Sequence, residues 1–248
     1  MRRFENKTAV ITGAARGIGE AIARRFIREG GRALLADIDE DQLRKTAESI
    51  GEGAYPVFVD VRSSDSVAAM AKYASELFGQ VDILFSNAGI MASSPFLETP
   101  EEQFCDVMNT NAKGMFLVGK AIAGLMVKTG VKGAIVNTCS SYCNIVSAGT
   151  ASYSASKGAV LQLTKVMAVD LAQYGIRVNA FAPGFVDTRI AAKSLSDPNK
   201  VERLKSQWCI KRPSDPSEQA AVALFLASDD ASYMTGEIVF ADAGWHIV

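Results

Sequence analysis

Thr12-Gly13-Ala14-Ala15-Arg16-Gly17-Ile18-Gly19 follows a short β-branched run, Thr8–Thr12, and leads into an amphipathic segment over residues 18–29. Glycine at 13, 17 and 19 permits a tight turn and a close backbone approach to a bulky anion. The helix behind it offers free N–H groups and the positive end of its dipole, so the octapeptide reads as a cradle for the pyrophosphate of a dinucleotide. A second β-branched run, Arg32–Asp37, ends on a carboxylate. An acid there can bond the adenosine ribose diol and repel a 2′-phosphate, so Asp37 favours NAD over NADP. Arg16 argues the other way, as a cation near the turn, unless it is simply solvated. Ile38, where a second cation would help NADP, is apolar.

Outward from the turn, short apolar runs alternate with helix-length amphipathic segments. The runs are Thr8–Thr12, Arg32–Asp37, 54–61, 81–87, Ala134–Thr138, 177–182 and 237–241; the helical patterns are 18–29, 41–50, Ser64–Phe78, 101–125, 153–174 and 217–226. Near-continuous apolar runs suit strands covered on both faces, and strict alternation calls for crossovers between parallel strands. The expected fold is α/β: a single-domain Rossmann-type doubly wound parallel sheet of about seven strands with helices on both faces, spanning 1–248. A (β/α)8 barrel is the rival at this length, but the strand count and the glycine turn favour the open sheet. Ser64 and the Pro216-Ser217 step are expected to open helices. Residues 185–213 read as irregular, with two prolines, mixed charge and large apolar side chains, and are expected to form a substrate-binding lid.

Composition narrows the chemistry. The 248 residues carry 26 basic and 27 acidic side chains and are 48% apolar, enough for a sizeable core and without the basic excess of a nucleic-acid binder. No apolar stretch reaches the roughly 20 residues that a membrane helix needs. A single histidine, His246, excludes zinc sites built on two or three histidines and is poorly placed for a Ser–His–Asp triad; no metal is expected. Four cysteines without a C-x-x-C pair, and an N-terminus without an apolar signal region, point to a cytoplasmic protein with free thiols.

Tyr153-Ser-Ala-Ser-Lys157 opens one of the long helices. Residues i and i+4 share a face, so phenol and ammonium can meet, and a nearby cation favours the phenolate. Such a tyrosine can exchange a proton with an alcohol or carbonyl oxygen. Ser140, at the end of a strand, can orient that oxygen, with Ser141 a competitor for the role.

The T-G-x-x-x-G-x-G turn, Asn87-Ala88-Gly89, Ser140, Tyr153-x-x-x-Lys157 and Pro183-Gly184 together resemble the classical short-chain dehydrogenase/reductase family over essentially the whole chain. The resemblance implies a domain that uses NAD or NADP to interconvert alcohols and ketones, as a homotetramer or homodimer. It makes Tyr153 the acid/base and Ser140 the residue that positions the reacting oxygen. Lys157 would hold the nicotinamide ribose and lower the tyrosine's pKa. Asn111, a better match than Asn109, would help keep a water for proton relay. Gly13, Arg16, Gly17, Ile18 and Gly19 would form the phosphate turn. Asp60 and Val61 would lie at the adenine ring, Asn87, Ala88 and Gly89 along the cleft, and Pro183, Gly184 and Thr188 at the nicotinamide end. Gly236 and Asp242-Ala243-Gly244 resemble the family's last-strand pattern. Ser86, Cys139 and Ala243 depart from it, and none is a required catalytic group.

The expected activity is NAD(H)-dependent interconversion of a secondary alcohol, diol or polyol and its ketone. The alternatives are reduction of a 3-oxoacyl thioester and, from another class, an NAD-binding regulator without turnover. Ser140, Cys143, Tyr153, Phe185 and Trp208 are the candidate substrate contacts; Met91, Phe96, Tyr142 and Ile145 follow strands that end nearby. In the lid, Arg189, Ile190, Lys193, Leu195 and Leu204 are further candidates.

Overall fold

A computed structural model describes residues 2–188 and 197–248. Seven strands form one sheet in the order β3-β2-β1-β4-β5-β6-β7, every neighbouring pair parallel. They are β1 (Thr8–Thr12), β2 (Arg32–Asp37), β3 (Ala54–Phe58), β4 (Ile83–Ser86), β5 (Ala134–Thr138), β6 (Arg177–Pro183) and β7 (Ile238–Ala241). The chain builds outward from β1 to β3, returns, and builds the other way from β4. The crevice at the carboxyl ends of β1 and β4 is therefore the topological switch point where an open α/β sheet binds ligands. The sheet is open, which disposes of the barrel.

Alternation along each strand explains both layers. Val10, Leu34, Leu84, Ile135 and Val178 face one core, with Val67, Met70, Val118 and Ile122 from α3 (Ser64–Phe78) and α5 (Gly114–Thr129). Their neighbours Ile11, Leu35, Phe85 and Val136 face the other, with Ile22 and Phe26 of α1 (Gly17–Arg28) and Leu224 of the last helix. Each such side chain contributes about 1.5–3 kcal/mol by burial. This two-sided burial is why the strands read as unbroken apolar runs.

Boundaries differ from the sequence reading for local reasons. β3 ends at Phe58, not 61; it is an edge strand carrying Pro56, which cannot donate to a ladder. α2 spans Glu40–Ile50. The N-cap of α3 is Ser63, whose hydroxyl accepts from the Ser66 N–H at 3.3 Å, so Ser64 is the first helical residue. The helix expected over 101–125 is α4 (Glu101–Met108), a π-helical turn (Asn109–Lys113) and then α5. α6 spans Ala151–Leu171. Within the expected lid lies a helix, α7 (Pro198–Ser206), and Val186 bridges to Ser214, so 185–213 is not wholly irregular. Arg189, Ile190, Lys193 and Leu195 lie outside the described residues. α8 (Pro216–Ala227) is capped by Asp215 in a capping box with Glu218, with Pro216 in the first turn.

Candidate active site

The glycine turn is held from three sides. Asn87 donates from Nδ2 to the carbonyls of Thr12 and Gly13, both at 3.1 Å, while Thr12 Oγ1 accepts from the N–H groups of Asn87 at 3.0 Å and Ala88 at 3.2 Å. Thr138 at the end of β5 donates to Asn87 Oδ1 at 3.1 Å. Asn87 thus ties together the carboxyl ends of β1, β4 and β5. Gly13 (φ 65°) and Gly17 (φ 62°) lie in the left-handed region, and a Cβ on Gly19 would stand 2.1 Å from the Gly13 carbonyl oxygen. The N-cap of α1, Arg16, gives no side-chain bond to the helix, which leaves the first N–H groups to other acceptors. Thr188 closes the turn from the strand-β6 side, its methyl 3.3 Å from where a Gly17 Cβ would sit. Backbone cleared of side chains, beside an uncapped helix start, fits a pyrophosphate.

Asp37 accepts from the Ala15 N–H at 2.9 Å and from the Asp39 N–H at 3.0 Å, so it shapes the turn as well as facing it. Arg16 is not merely solvated: it donates to Asp39 Oδ2 at 2.7 Å. Asp39, whose other oxygen accepts from the Gln42 N–H to cap α2, carries no signal of its own in the glycine-turn motif. Asp60 is drawn toward Arg62, which holds its carboxyl below the usual range chiefly through side-chain hydrogen bonds. Val61 is buried against the start of α5, where a Gly114 Cβ would meet it at 2.7 Å.

At the ends of β5 and α6 the remaining groups converge. Lys157, 4% exposed, donates from Nζ to the Thr138 carbonyl at 2.9 Å and stands 5.7 Å from the centre of the Tyr153 ring. Ser140 stands beside the Tyr153 hydroxyl, where it favours the phenolate, and accepts from the Tyr142 N–H at 3.3 Å. Its rival Ser141 is already engaged: fully buried, it donates to Asp242 at 2.7 Å. Asn111 sits in the π-helical turn, accepts from Ile90 N–H at 2.8 Å, and donates to Ile90 O and Ser156 Oγ, both at 2.9 Å. Ser156 in turn donates to the Tyr153 carbonyl at 2.7 Å. Gly89 leaves the gap between Asn111 and Lys157 open: a Cβ there would lie 3.2 Å from Asn111 Oδ1 and 3.7 Å from Lys157 Nζ.

In the cofactor-free protein the Tyr153 phenol moves upward. Burial pushes the Tyr153 phenol up to about 12, against the lowering by the Ser140 hydrogen bond, and Lys157 does not offset it. Burial also lowers the Lys157 ammonium. Without cofactor, desolvation outweighs any help from the lysine.

Of the substrate candidates, Tyr142 packs edge-on against Tyr153 at 5.7 Å and against Trp245 at 5.5 Å. Trp208 stands between Trp245 (6.2 Å) and Phe185 (5.5 Å). At 2% exposure it backs this aromatic wall. The neighbouring thiols Cys139 and Cys143 influence one another, which raises the Cys143 thiol and lowers that of Cys139. Gly184 packs on Asp242, where a Cβ would come within 2.7 Å of the Asp242 Cα, and the Pro183 carbonyl accepts from Ser141 at 3.3 Å. Trp245, Asp242 and His246 were not singled out as site residues from sequence; only the strand pattern around Asp242 hinted at them.

A family model described as Enoyl-(Acyl carrier protein) reductase matches residues 13–246. The galactitol 2-dehydrogenase (L-tagatose-forming) of Cereibacter sphaeroides is 40% identical, over 99% of this chain and 97% of its own. The 3-oxoacyl-acyl-carrier-protein reductase of Vibrio cholerae is 35% identical over 99% of both. A solved short-chain type dehydrogenase/reductase from Mycobacterium marinum superposes with a TM-score of 0.95 at 34% identity, covering 100% of this chain and 98% of that one. With that fold and that convergence of serine, tyrosine and lysine, the chain belongs to the short-chain dehydrogenase/reductase family. It is an oxidoreductase.

Proposed function

We propose that the protein interconverts a secondary alcohol, diol or polyol and its ketone with NAD(H). The observation that carries this reading is the convergence of Ser140, Tyr153 and the Lys157 ammonium, all at the switch-point crevice. The turn from Gly13 to Gly19 would hold the pyrophosphate, Asp37 the adenosine ribose and Lys157 the nicotinamide ribose. When bound, a nicotinamide dinucleotide supplies the hydride donor or acceptor. The chain's own part is to orient and to move a proton. Ser140 donates to the substrate oxygen, Tyr153 gives that oxygen a proton or takes one, and Lys157 holds positive charge against the developing phenolate. Asn111 ties the loop after β4, at Ile90, to α6 behind them.

The Arg16–Asp39 ion pair supports NAD over NADP, because it engages the cation that a 2′-phosphate would need. The aromatic wall of Tyr142, Trp245 and Phe185 suits a compact substrate body. Likeness to the Vibrio enzyme favours, as second reading, a 3-oxoacyl thioester reductase. Initial rates with NAD⁺ and NADP⁺ on a panel of secondary alcohols, diols and polyols, and with a 3-oxoacyl thioester and NADPH, separate the two. Turnover of the panel with NAD⁺ supports the first; turnover of the thioester alone with NADPH supports the second. Tight NADH binding without any turnover would favour a binding-only regulator. Four unpaired cysteines fit a reducing cytoplasm, and among the described residues no helix is long and apolar enough to cross a membrane.

A further inference from the structure

We propose that His246 is a positioning residue for the Ser140–Tyr153 pair, acting through Asp242 and Ser141. The inference rests on the reading of Ser140 and Tyr153 as the reacting pair. Past β7 the chain turns through Ala243 (φ 59°) and Gly244 (φ 78°) into a single 3₁₀ turn, Trp245–Ile247. A left-handed alanine is strained and persists only where its surroundings over-determine it. Asp242 supplies that determination. Its carboxylate accepts from the N–H groups of Gly244 at 3.1 Å and His246 at 3.0 Å, and from the His246 ring, whose Nδ1 lies 2.9 and 3.0 Å from its two oxygens. The remaining partner is the Ser141 hydroxyl at 2.7 Å.

Asp242 is 5% exposed, and the His246 ring is, with the Ser141 hydroxyl, one of the side-chain donors its carboxylate meets. A buried carboxylate without compensation is costly, and the ring is what fixes the orientation in which Oδ2 points at Ser141. Ser141 is joined by one peptide bond to Ser140 and begins the 3₁₀ turn Ser141–Cys143, whose first N–H groups include the one that donates to Ser140 Oγ. The histidine ring is itself clamped, stacked on Phe240 with centroids 4.0 Å apart and planes 19° apart. A path of packed and hydrogen-bonded groups therefore runs Phe240, His246, Asp242, Ser141, Ser140, Tyr153. None of its outer members touches the reacting atoms.

The test compares His246→Leu, His246→Asn and Ser141→Ala, alone and with His246→Leu combined with Ser141→Ala. Asparagine keeps an N–H donor near the place of ring Nδ1; leucine keeps volume only. The expected result for His246→Leu is a kcat lowered roughly tenfold, within the hundredfold that a misplacement of about 1 Å can cost. NADH affinity and the KM for NAD⁺ should stay at wild-type values. His246→Asn should recover most of the rate, and the double variant should be no slower than the worse single one, since both cut the same connection. Wild-type kcat in His246→Leu, no recovery with asparagine, or losses that multiply would each overturn the proposal. A second readout needs no turnover. Loosening Ser140 removes a bond that favours the phenolate, so ultraviolet titration should show the Tyr153 phenol ionising at higher pH in His246→Leu than in wild type. If the wild type turns over no substrate, the functional reading fails while the titration still decides the positioning role; an unmoved titration overturns it.

Discussion

Tyr153 holds its proton more tightly in the cofactor-free protein than tyrosine does in water, near 12 against an ordinary value of about 10, because burial outweighs the Ser140 hydrogen bond. Between those two pH values the native state binds more protons than the unfolded chain, so stability falls as pH rises through that window. We expect Tyr153→Phe to flatten this fall in denaturant titrations run across the same range. The same variant should lose turnover by about 10²–10⁴, the usual contribution of a positioned acid/base, and keep NADH affinity. We expect cofactor choice to respond to single residues as well. Asp39→Asn keeps a cap for α2 and removes the charge that engages Arg16. We expect kcat/KM for NADP⁺ to rise by about tenfold, equivalent to about 1.4 kcal/mol, with little change for NAD⁺; an unchanged ratio would mean that Arg16 lies away from the 2′-phosphate. At this scale the motif residues were legible because their spacing is local. The residues alone left Ser141 in competition with Ser140, and the family resemblance made the choice, since two adjacent hydroxyls look alike until Asp242, from the far end of the chain, engages one of them. Asp39 was illegible for the same reason, because its partner Arg16 is brought near by the fold; Asp242 lies close to His246 in sequence, but the Ser141 that connects them to the site does not.

Helices and strands were readable where burial fixes their period. β1, β2 and β5 fall on the residues expected, because each is covered on both faces. The segment 101–125 was read as one helix because the apolar stripe runs on through the break. The π-helical turn at Asn109–Lys113 shifts the helical phase, and its mark in the sequence is polar residues at Asn109 and Asn111, which an amphipathic helix also carries on its outer face. That bulge turns Asn111 inward, 1% exposed, to hold Ile90 and Ser156. Asn111→Ala should remove these bonds and cost about 1 kcal/mol, a fall in melting temperature of roughly 2–4 °C, with a larger proportional loss in kcat. Caps shifted by one or two positions, to Ser63 and Asp215, because a run of serines or a Pro-Ser step offers several candidate oxygens. The glycine turn is stricter. With 2.1 Å between a Gly19 Cβ and the Gly13 carbonyl, Gly19→Ala must displace the turn itself, so NADH binding by fluorescence titration should be lost while the sheet's far-ultraviolet circular dichroism persists.

Over the whole molecule, the two-sided sheet places the crevice at the carboxyl ends of its central strands and leaves the outer faces of the long helices to solvent. On α4 and α5 these faces present Phe104 and Phe116, and on α6 Val166 and Val169, the last 77% exposed. Single exposed apolar residues are ordinary, but large ones recurring on helices that pack together mark an interaction surface. The charge balance of −1 gives little electrostatic repulsion between copies. A closed homo-oligomer, dimer or tetramer, is therefore expected, consistent with the resemblance drawn from sequence. Light scattering should give a mass two or four times that of the chain. Phe116→Glu with Val169→Glu places two carboxylates on that surface and away from the crevice, and should yield a monomer that still binds NADH. A wild-type monomer would refute the expectation, and a double variant that kept the wild-type mass would move the interface to another face, where the free edge of β7 and the exposed side of α8 are next to be changed.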